Sequence, residues 1–173
     1  MYSAKTHLNM IDWYSPDEDS YTLCDCLKDE NMVNKLILDL GTSTGFITKS
    51  LHSNNVVISS DLNMKALIKQ KNGNLIHMDL LNCIKQEYLD IIIFNPPYVL
   101  DSHDPIIGGG VYGREIIDEF INQVNVKMFY LLVIEANKYK EVIANIKNKG
   151  YIVEIKRIRR ILGETIIILK CLK

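Results

Sequence analysis

The 173-residue sequence predicts an α/β fold, a doubly wound, seven-stranded, mostly parallel sheet with a C-terminal antiparallel hairpin. Three observations predict it. Five short runs rich in Ile, Val and Leu (KLILDLG, NVVISSD, NLIHMD, DIIIFN and FYLLVIEA) lack clean alternation, as strands buried on both faces do. Amphipathic stretches GFITKSLHS, NMKALIKQ, REIIDEFINQV and YKEVIANIKN separate most of them, each long enough for the crossover helix that parallel strands need. The ending GYIVEIKRIRRILGETIIILKCLK holds two strand-like runs around Gly163 and Glu164 with no room for a helix between them, which makes a hairpin.

Before the first strand, SPDEDSYTLCDCL reads as a helix start, with Ser15 as cap, Pro16 at the first helical position and Glu18 closing a capping box. No repeat, charge block or low-complexity linker interrupts the chain, so a single domain over residues 1–173 is expected. A net charge of -1 and a pI of about 6.4 supply no general positive field for nucleic acid. The cysteines Cys24, Cys26, Cys83 and Cys171 are scattered, and Cys24 and Cys26 have no second pair at metal-ligand spacing, so no metal site is expected. The stretch MYSAKTHLNMIDW lacks the pattern of a signal peptide, and apolar runs such as IIIL fall far short of a membrane span. A reduced, soluble, intracellular protein is expected, in the cytoplasm with the nucleus as a second compartment.

In such sheets ligands bind at the carboxyl ends of the strands, beside the switch point. The first strand ends in DLGTSTG, where Asp39, Gly41 and Gly45 form a loop that lets backbone approach a small ligand closely. It is not a dinucleotide fingerprint, because Ser43 holds the middle position; a plain tight turn is the alternative. The second strand ends in Asp61, 22 residues beyond Asp39, about where an acid meets ribose hydroxyls; a cap for the next helix is the other reading. Asp79 ends the third strand and can accept from an exocyclic amine or cap a turn. Together the three acids suit a nucleoside with hydroxyls and an amine but no phosphate.

The fourth strand ends in Asn95, Pro96, Pro97 and Tyr98. Two prolines cannot continue a sheet and stiffen the turn. The Asn95 amide oxygen and the Pro96 carbonyl then become fixed acceptors for both hydrogens of a planar NH2 group, and Tyr98 offers a flat face. Such a nitrogen is a poor nucleophile because its lone pair is delocalised. Two aimed acceptors favour the pyramidal, more charged transition state, and positioning of this kind contributes roughly 7–11 kcal/mol in well-oriented systems. No strong base is needed, since alkylation makes the proton acidic.

These residues resemble the class I S-adenosylmethionine-dependent methyltransferases, and more narrowly the short eukaryotic and archaeal HemK-type protein glutamine methyltransferases. SPDEDS is similar to that family's P-x-E-D-T opening, DLGTSTG to its cofactor loop, NPPY to its amino-methylating signature, GGGVYGRE to its Gly-Gly-x-x-Gly-Arg segment and GETIIILK to its closing strand. The resemblance implies a Rossmann-like methyltransferase domain. It places Asp39, Gly41 and Ser20 around the methionine part of S-adenosylmethionine, Asp61 on the ribose, Asp79 with Leu80 on the adenine, and Asn95 on the substrate amide. Gly45 belongs to the same cofactor loop. Two departures stand out: Ser43 replaces the usual middle glycine, which is expected to tighten or shift the loop, and Ser20 stands where threonine is common but keeps the hydroxyl.

NPPY enzymes methylate adenine N6 in nucleic acids or glutamine in proteins, and the tetrad alone does not separate them. A chain this short, with a net charge of -1, leaves little for a target-recognition region or basic cleft. The cluster Lys156, Arg157, Arg159 and Arg160 reads as a solvated strand edge, with phosphate or an acidic protein as the alternative. The chain is expected to start almost directly at the catalytic domain, where the resemblance implies a preceding helical domain for bacterial relatives. By resemblance the reaction is N5-methylation of the glutamine in the Gly-Gly-Gln loop of the class 1 translation release factor, and the loop-like, glycine-rich HDPIIGGGVYGRE is expected to shape the mouth that receives it. The competing readings are N6-adenine methylation of DNA or RNA and lysine methylation of a histone. A non-catalytic module is disfavoured by the intact Asn95 tetrad, and an NAD-dependent oxidoreductase by the glycine spacing. The family also uses a small zinc-binding activator subunit, and a 47% hydrophobic chain with a mean hydropathy of +0.02 suits a heterodimer. The third strand, NLIHM, is the expected edge for that contact, with His77 an interface or packing residue.

Overall fold

Strands that are apolar on both faces need helices on both faces, and the chain supplies them. The computed structural model describes residues 12–173; most of the amino-terminal stretch expected to lack a signal peptide lies outside them. The elements are α1 (Glu18–Lys28), β1 (Leu36–Leu40), α2 (Phe46–Ser50), β2 (Val56–Asp61), α3 (Met64–Lys69), β3 (Asn74–His77), β4 (Ile91–Phe94), α4 (Glu115–Gln123), β5 (Met128–Ile134), α5 (Tyr139–Asn148), β6 (Ile152–Ile161) and β7 (Glu164–Leu172). They form one seven-stranded sheet in the order β3-β2-β1-β4-β5-β7-β6. β1 to β5 pair in parallel, whereas β7 runs antiparallel to both β5 and β6. The expected fold class is borne out, including the hairpin and the edge position of β3.

Burial explains the missing alternation. Along β4, Ile92 and Phe94 enter the core on one face and Ile91 and Ile93 the core on the other. On the first face Phe94, Phe120, Phe129 and Tyr151 form a chain of ring contacts with centroids 4.9 to 5.4 Å apart. On the second, Leu23 and Leu27 of α1 belong to the cluster of Ile37, Ile93 and Ile168, which also holds the buried Cys24 and Cys26. All four cysteines are free, and no group of metal-ligating side chains occurs among the described residues. No helix among them is long and apolar enough to cross a membrane.

The start of α1 differs from expectation. Asp17, not Ser15, is the cap: its backbone is extended and its carboxylate accepts from Glu18 N, so Pro16 lies before the helix and no Ser15–Glu18 capping box forms. Glu18 is used elsewhere, its carboxylate 2.5 Å from Arg159. That pair is one of several joining α1 to the β6–β7 hairpin. Asp29 meets Arg157 at 2.5 Å, and Glu30, just beyond the helix, bridges Lys156 at 2.9 Å and Lys170 at 2.5 Å. Three members of the basic cluster therefore face acids of their own chain, and Arg160 alone makes no ion pair among the described residues.

Burial would raise the Glu30 carboxyl, but the bonds from Lys170 and Lys156 outweigh it and hold the group at about 2, below its ordinary 4.5. A depressed carboxyl adds stability above its unfolded value and loses it as pH falls through the folded one. Glu30→Gln should therefore lower the thermal midpoint at neutral pH, with the difference from the unmodified chain shrinking between about pH 4.5 and 2. Melting curves across that range check it.

Candidate functional site

The register sets the site. Leu40 of β1 pairs with Phe94 of β4 and with Ser60 of β2, so the loop after β1, the NPPY turn and Asp61 emerge side by side at the carboxyl edge. A cavity of ≈ 730 Å³ opens there, large enough for a nucleoside-sized ligand and a substrate side chain.

Ser20, Gly41, Asp61, Asp79, Leu80, Asn95, Pro96, Pro97 and Tyr98 line it, from among the residues singled out in the sequence. Asp39 and Gly45 are not among the residues that line it. Asp39 is fully buried behind the loop; its Oδ2 accepts from Thr42 Oγ1 (2.7 Å), Thr48 Oγ1 (2.6 Å) and Thr48 N (3.1 Å), so it organises the loop from below. Gly45 precedes α2 in the left-handed region, φ +77, with Gln70 so close that a Cβ would sit 2.5 Å from its Oε1. Gln70 in turn donates to Ser43 O at 2.8 Å.

Ser43 takes a left-handed φ of +47 in place of the usual glycine. Its N donates to Asp61 Oδ2 at 2.7 Å and its hydroxyl to Tyr14 O at 2.8 Å. The serine adds a tether to the segment that precedes α1, which offsets the conformational cost of a side chain in that region. Asp61 Oδ1 also accepts from Asn63 N at 2.7 Å, while Asn63 itself caps α3 through Lys65 N and Ala66 N. Asp61 thus supports the loop rather than capping the helix. Asp79 is exposed on the wall, its carboxylate unbonded among the described residues, and Leu80 beside it is buried with φ +42.

The NPPY turn is held from two sides. Asn137, fully buried, donates through Nδ2 to the carbonyls of Tyr98 (3.0 Å), Tyr112 (3.3 Å) and Gly113 (2.9 Å), and accepts from Ile134 N at 2.9 Å. Gly113 must be glycine: a Cβ would lie 2.1 Å from Tyr98 O, at φ +63. On the other side Asp19, 3% exposed, accepts from Asn95 Nδ2 at 2.9 Å and from Tyr98 OH at 3.3 Å. Asn95 Oδ1 is left buried and without a partner. Burial and then the Asp19 charge push the Tyr98 hydroxyl far up, and burial with the Asp19 bond does the same to Tyr14, so neither serves as a base near neutral pH.

Gly108, Gly109 and Gly110 line the outer part of the cavity, where Val99 bridges Gly108 and Ser102 bridges Gly110. Arg114 does not pair with Glu115: it makes a two-pronged bond to Asp118, at 2.8 and 2.9 Å, and a third to Glu141 at 2.9 Å. His77 is exposed on β3 with Nε2 2.8 Å from Leu62 O, away from the cavity lining. Among the described residues the lining carries the carboxylates of Asp12, Asp19, Asp61, Asp79, Asp104 and Glu115 against a single lysine, Lys65, itself paired with Asp12 at 2.6 Å.

Asp19 and Tyr14 were not singled out in the sequence. The signal for Asp19 is its position in a buried stripe with Leu23, Cys26 and Leu27, at i, i+4, i+7 and i+8. A carboxylate on an apolar stripe needs partners, and the partners are the site.

The profile of the family described as Methyltransferase small domain matches residues 2–123, most of the chain. The chain belongs to the methyltransferase small domain family. Among relatives of this family, the putative protein N5-glutamine methyltransferase MJ0928 of Methanocaldococcus jannaschii is 30% identical over 82% of this chain and 82% of its own. Human methyltransferase HEMK2 is 28% identical over 80% of this chain and 79% of its own. The chain is also similar to a solved structure of the E. cuniculi Mtq2-Trm112 complex, described as responsible for methylating the eRF1 translation termination factor. That match has 55% identity, a TM-score of 0.92, and covers 94% of this chain and 99% of the other.

Burial pushes Asp39 up to about 6 against the bonds from Thr48 and Thr42 that favour its charge. A raised carboxyl binds protons more tightly folded than unfolded, so its contribution to stability falls as pH rises from about 4 to about 6. Asp39→Asn, whose amide oxygen can keep the threonine bonds, should remove that part of the pH dependence in melts of the ligand-free chain; an unchanged profile would refute the assignment.

Proposed function

We propose that the chain uses S-adenosylmethionine to methylate N5 of the glutamine in the Gly-Gly-Gln loop of the class 1 translation release factor, working as a heterodimer with a small activator subunit. One observation carries the chemistry: the buried, unpartnered Asn95 Oδ1 at the cavity, with its own NH2 end already occupied. An open acceptor there matches a donor group on the substrate, and a primary amide is such a donor. The substrate class is supported by the 55% identical relative described as methylating a termination factor.

The cavity fits the cofactor by its own residues. Gly41, at φ +66, keeps the loop close to the NPPY turn, since a Cβ would meet Phe94 Cε2 at 3.3 Å. Asp61 and the exposed Asp79 offer acceptors to ribose hydroxyls and an exocyclic amine, and Ser20 and Gly41 lie toward the methionine part. When bound, S-adenosylmethionine supplies an electrophilic methyl carbon attached to a positive sulfur, a charge that an acid-lined cavity favours. Asn95 Oδ1 and the Pro96 carbonyl accept the two amide hydrogens and favour the pyramidal nitrogen of the transition state. Tyr98 and Pro97 form the wall against which the amide lies. The proton leaves after alkylation to solvent, so no basic side chain is required.

Among the described lining residues, six carboxylates and one paired lysine disfavour a polyanion in the cavity. That argues for a protein loop over DNA or RNA. The exposed Leu62, Met64 and Ile68, in and before the helix that joins β2 to the edge strand β3, suit cover by the activator subunit. An enzyme with this substrate works in the cytoplasm, where the factor acts.

Incubation with labelled S-adenosylmethionine, with the activator present, should label the release factor, leave a Gly-Gly-Ala version unlabelled, and leave DNA and RNA unlabelled; label on nucleic acid alone overturns the reading. Asn95→Ala should lower kcat by about 10²- to 10³-fold while binding of S-adenosylhomocysteine persists. Co-expression with the activator should raise the soluble yield, and a lone chain with full solubility and activity would count against the heterodimer.

A further inference from the structure

The two ends of an asparagine amide are nearly the same shape, so Asn95 by itself has no reason to present oxygen rather than nitrogen to a substrate. Its neighbours decide. We propose that Asp19 is a positioning residue that locks the Asn95 amide, and with it Tyr98, in the orientation that accepts an NH2 group. The kinetic consequence rests on the methyl transfer proposed above; the structural one does not.

Asp19 is 3% exposed. Its Oδ2 accepts from Asn95 Nδ2 at 2.9 Å and Tyr98 OH at 3.3 Å, and its Oδ1 accepts from Tyr14 OH at 2.7 Å and Ser20 N at 2.5 Å. A carboxylate is an acceptor only, so Asn95 must turn its NH2 toward it, and its oxygen faces away, buried and unpartnered. The flipped amide would set carbonyl oxygen against carboxylate oxygen and present donors to the donor group of the substrate. With four bonds accepted, Asp19 uses the lone-pair sites of both oxygens on neighbouring groups of its own chain. Its place is to orient those groups. The site consequently selects groups that donate two hydrogens and rejects a bare carbonyl.

The same contacts tie Ser20 and Tyr14 to the lock. Tyr14 O is held by the Ser43 hydroxyl at 2.8 Å, so the loop after β1 and the orientation of Asn95 share one network.

The test uses the heterodimer, with three readouts. In the unmodified protein, the Asn95 side-chain NH2 protons in a 15N-correlated spectrum should be shifted downfield and exchange slowly, as expected for a bond to a charged acceptor. Asp19→Asn should move that resonance upfield and lower kcat on the order of 10- to 100-fold, with KM for the release factor and binding of S-adenosylhomocysteine little changed. On an Asn95→Ala background, Asp19→Asn should cost nothing further in kcat. An equal loss on both backgrounds, or an Asn95 resonance with ordinary shift and exchange in the unmodified protein, overturns the proposal. The resonance of the unmodified chain stands even where a variant fails to fold. If no methyl reaches the release factor, the proposed function fails while the spectroscopic arm still decides the lock.

Discussion

A buried oxygen left without a partner is the constraint on which the rest of this structure depends. Buried polar atoms are nearly always bonded, and leaving one open costs about 1–3 kcal/mol. Asn95 Oδ1 is such an atom, and a free asparagine would turn to relieve it. The fold prevents this by over-determining everything around the turn. Pro96 and Pro97 restrict the backbone, and Asn137 ties three loop carbonyls to the end of β5 through a single side chain. Gly113 lets the following segment approach Tyr98 O closely. An acceptor held open in this way needs no reorganisation when a donor arrives, and that is the form in which a static protein can lower a barrier.

The other wall of the site is α1, whose placement involves the opposite end of the sheet. Its apolar residues Leu23 and Leu27 pack in the cluster that contains Ile37, Ile93 and Ile168, while Glu18, Asp29 and Glu30 meet Arg159, Arg157, Lys156 and Lys170 of the hairpin. The exposed Glu18–Arg159 and Asp29–Arg157 pairs contribute little stability one at a time, so the apolar packing and the more buried Glu30 pairs supply the strength. The same helix carries Asp19 in a buried stripe with Leu23, so the element that meets the hairpin also faces the site. The C-terminal hairpin therefore does more than close the sheet. It supplies the cations that meet the acids of the helix that carries Asp19.

Much of this was legible from the sequence because it is written in local patterns. Strands with both faces apolar, helices long enough to cross over, and a terminal hairpin require only periodicity and spacing, and the observed sheet follows them. The strand-end acids and the NPPY turn were legible because a parallel sheet brings its carboxyl ends together. What was not legible depends on side-chain direction. Asp39 lies one residue before the end of β1, and the bonds of its side chain to Thr42 and Thr48 could not be read from spacing. Gly45 serves the turn into α2 and the packing of Gln70. The helix cap fell on Asp17 because its carboxylate reaches Glu18 N with extended backbone, and Glu18 was drawn away to Arg159. Asp19 looked like an ordinary acid at a helix start, and only the packed stripe beneath it shows why it is buried.

Choice of substrate then separates from choice of chemistry. Two aimed acceptors would hold an adenine amine as readily as a glutamine amide, because both are planar NH2 groups. The distinction must come from the approach. A nucleic acid brings phosphates wherever it brings a base, and here it would bring them to a cavity lined by Asp12, Asp61, Asp79, Asp104 and Glu115 with no unpaired lysine or arginine among the described lining residues. The acids are not incidental to the cofactor, since a cationic sulfur is favoured by the same field that repels phosphate. A loop of glycines around one glutamine carries no such charge and has little side-chain bulk, so it can reach a recessed acceptor that a duplex cannot. One electrostatic arrangement thus serves both ends of the reaction, drawing in the methyl donor and excluding the other class of NH2-bearing polymer.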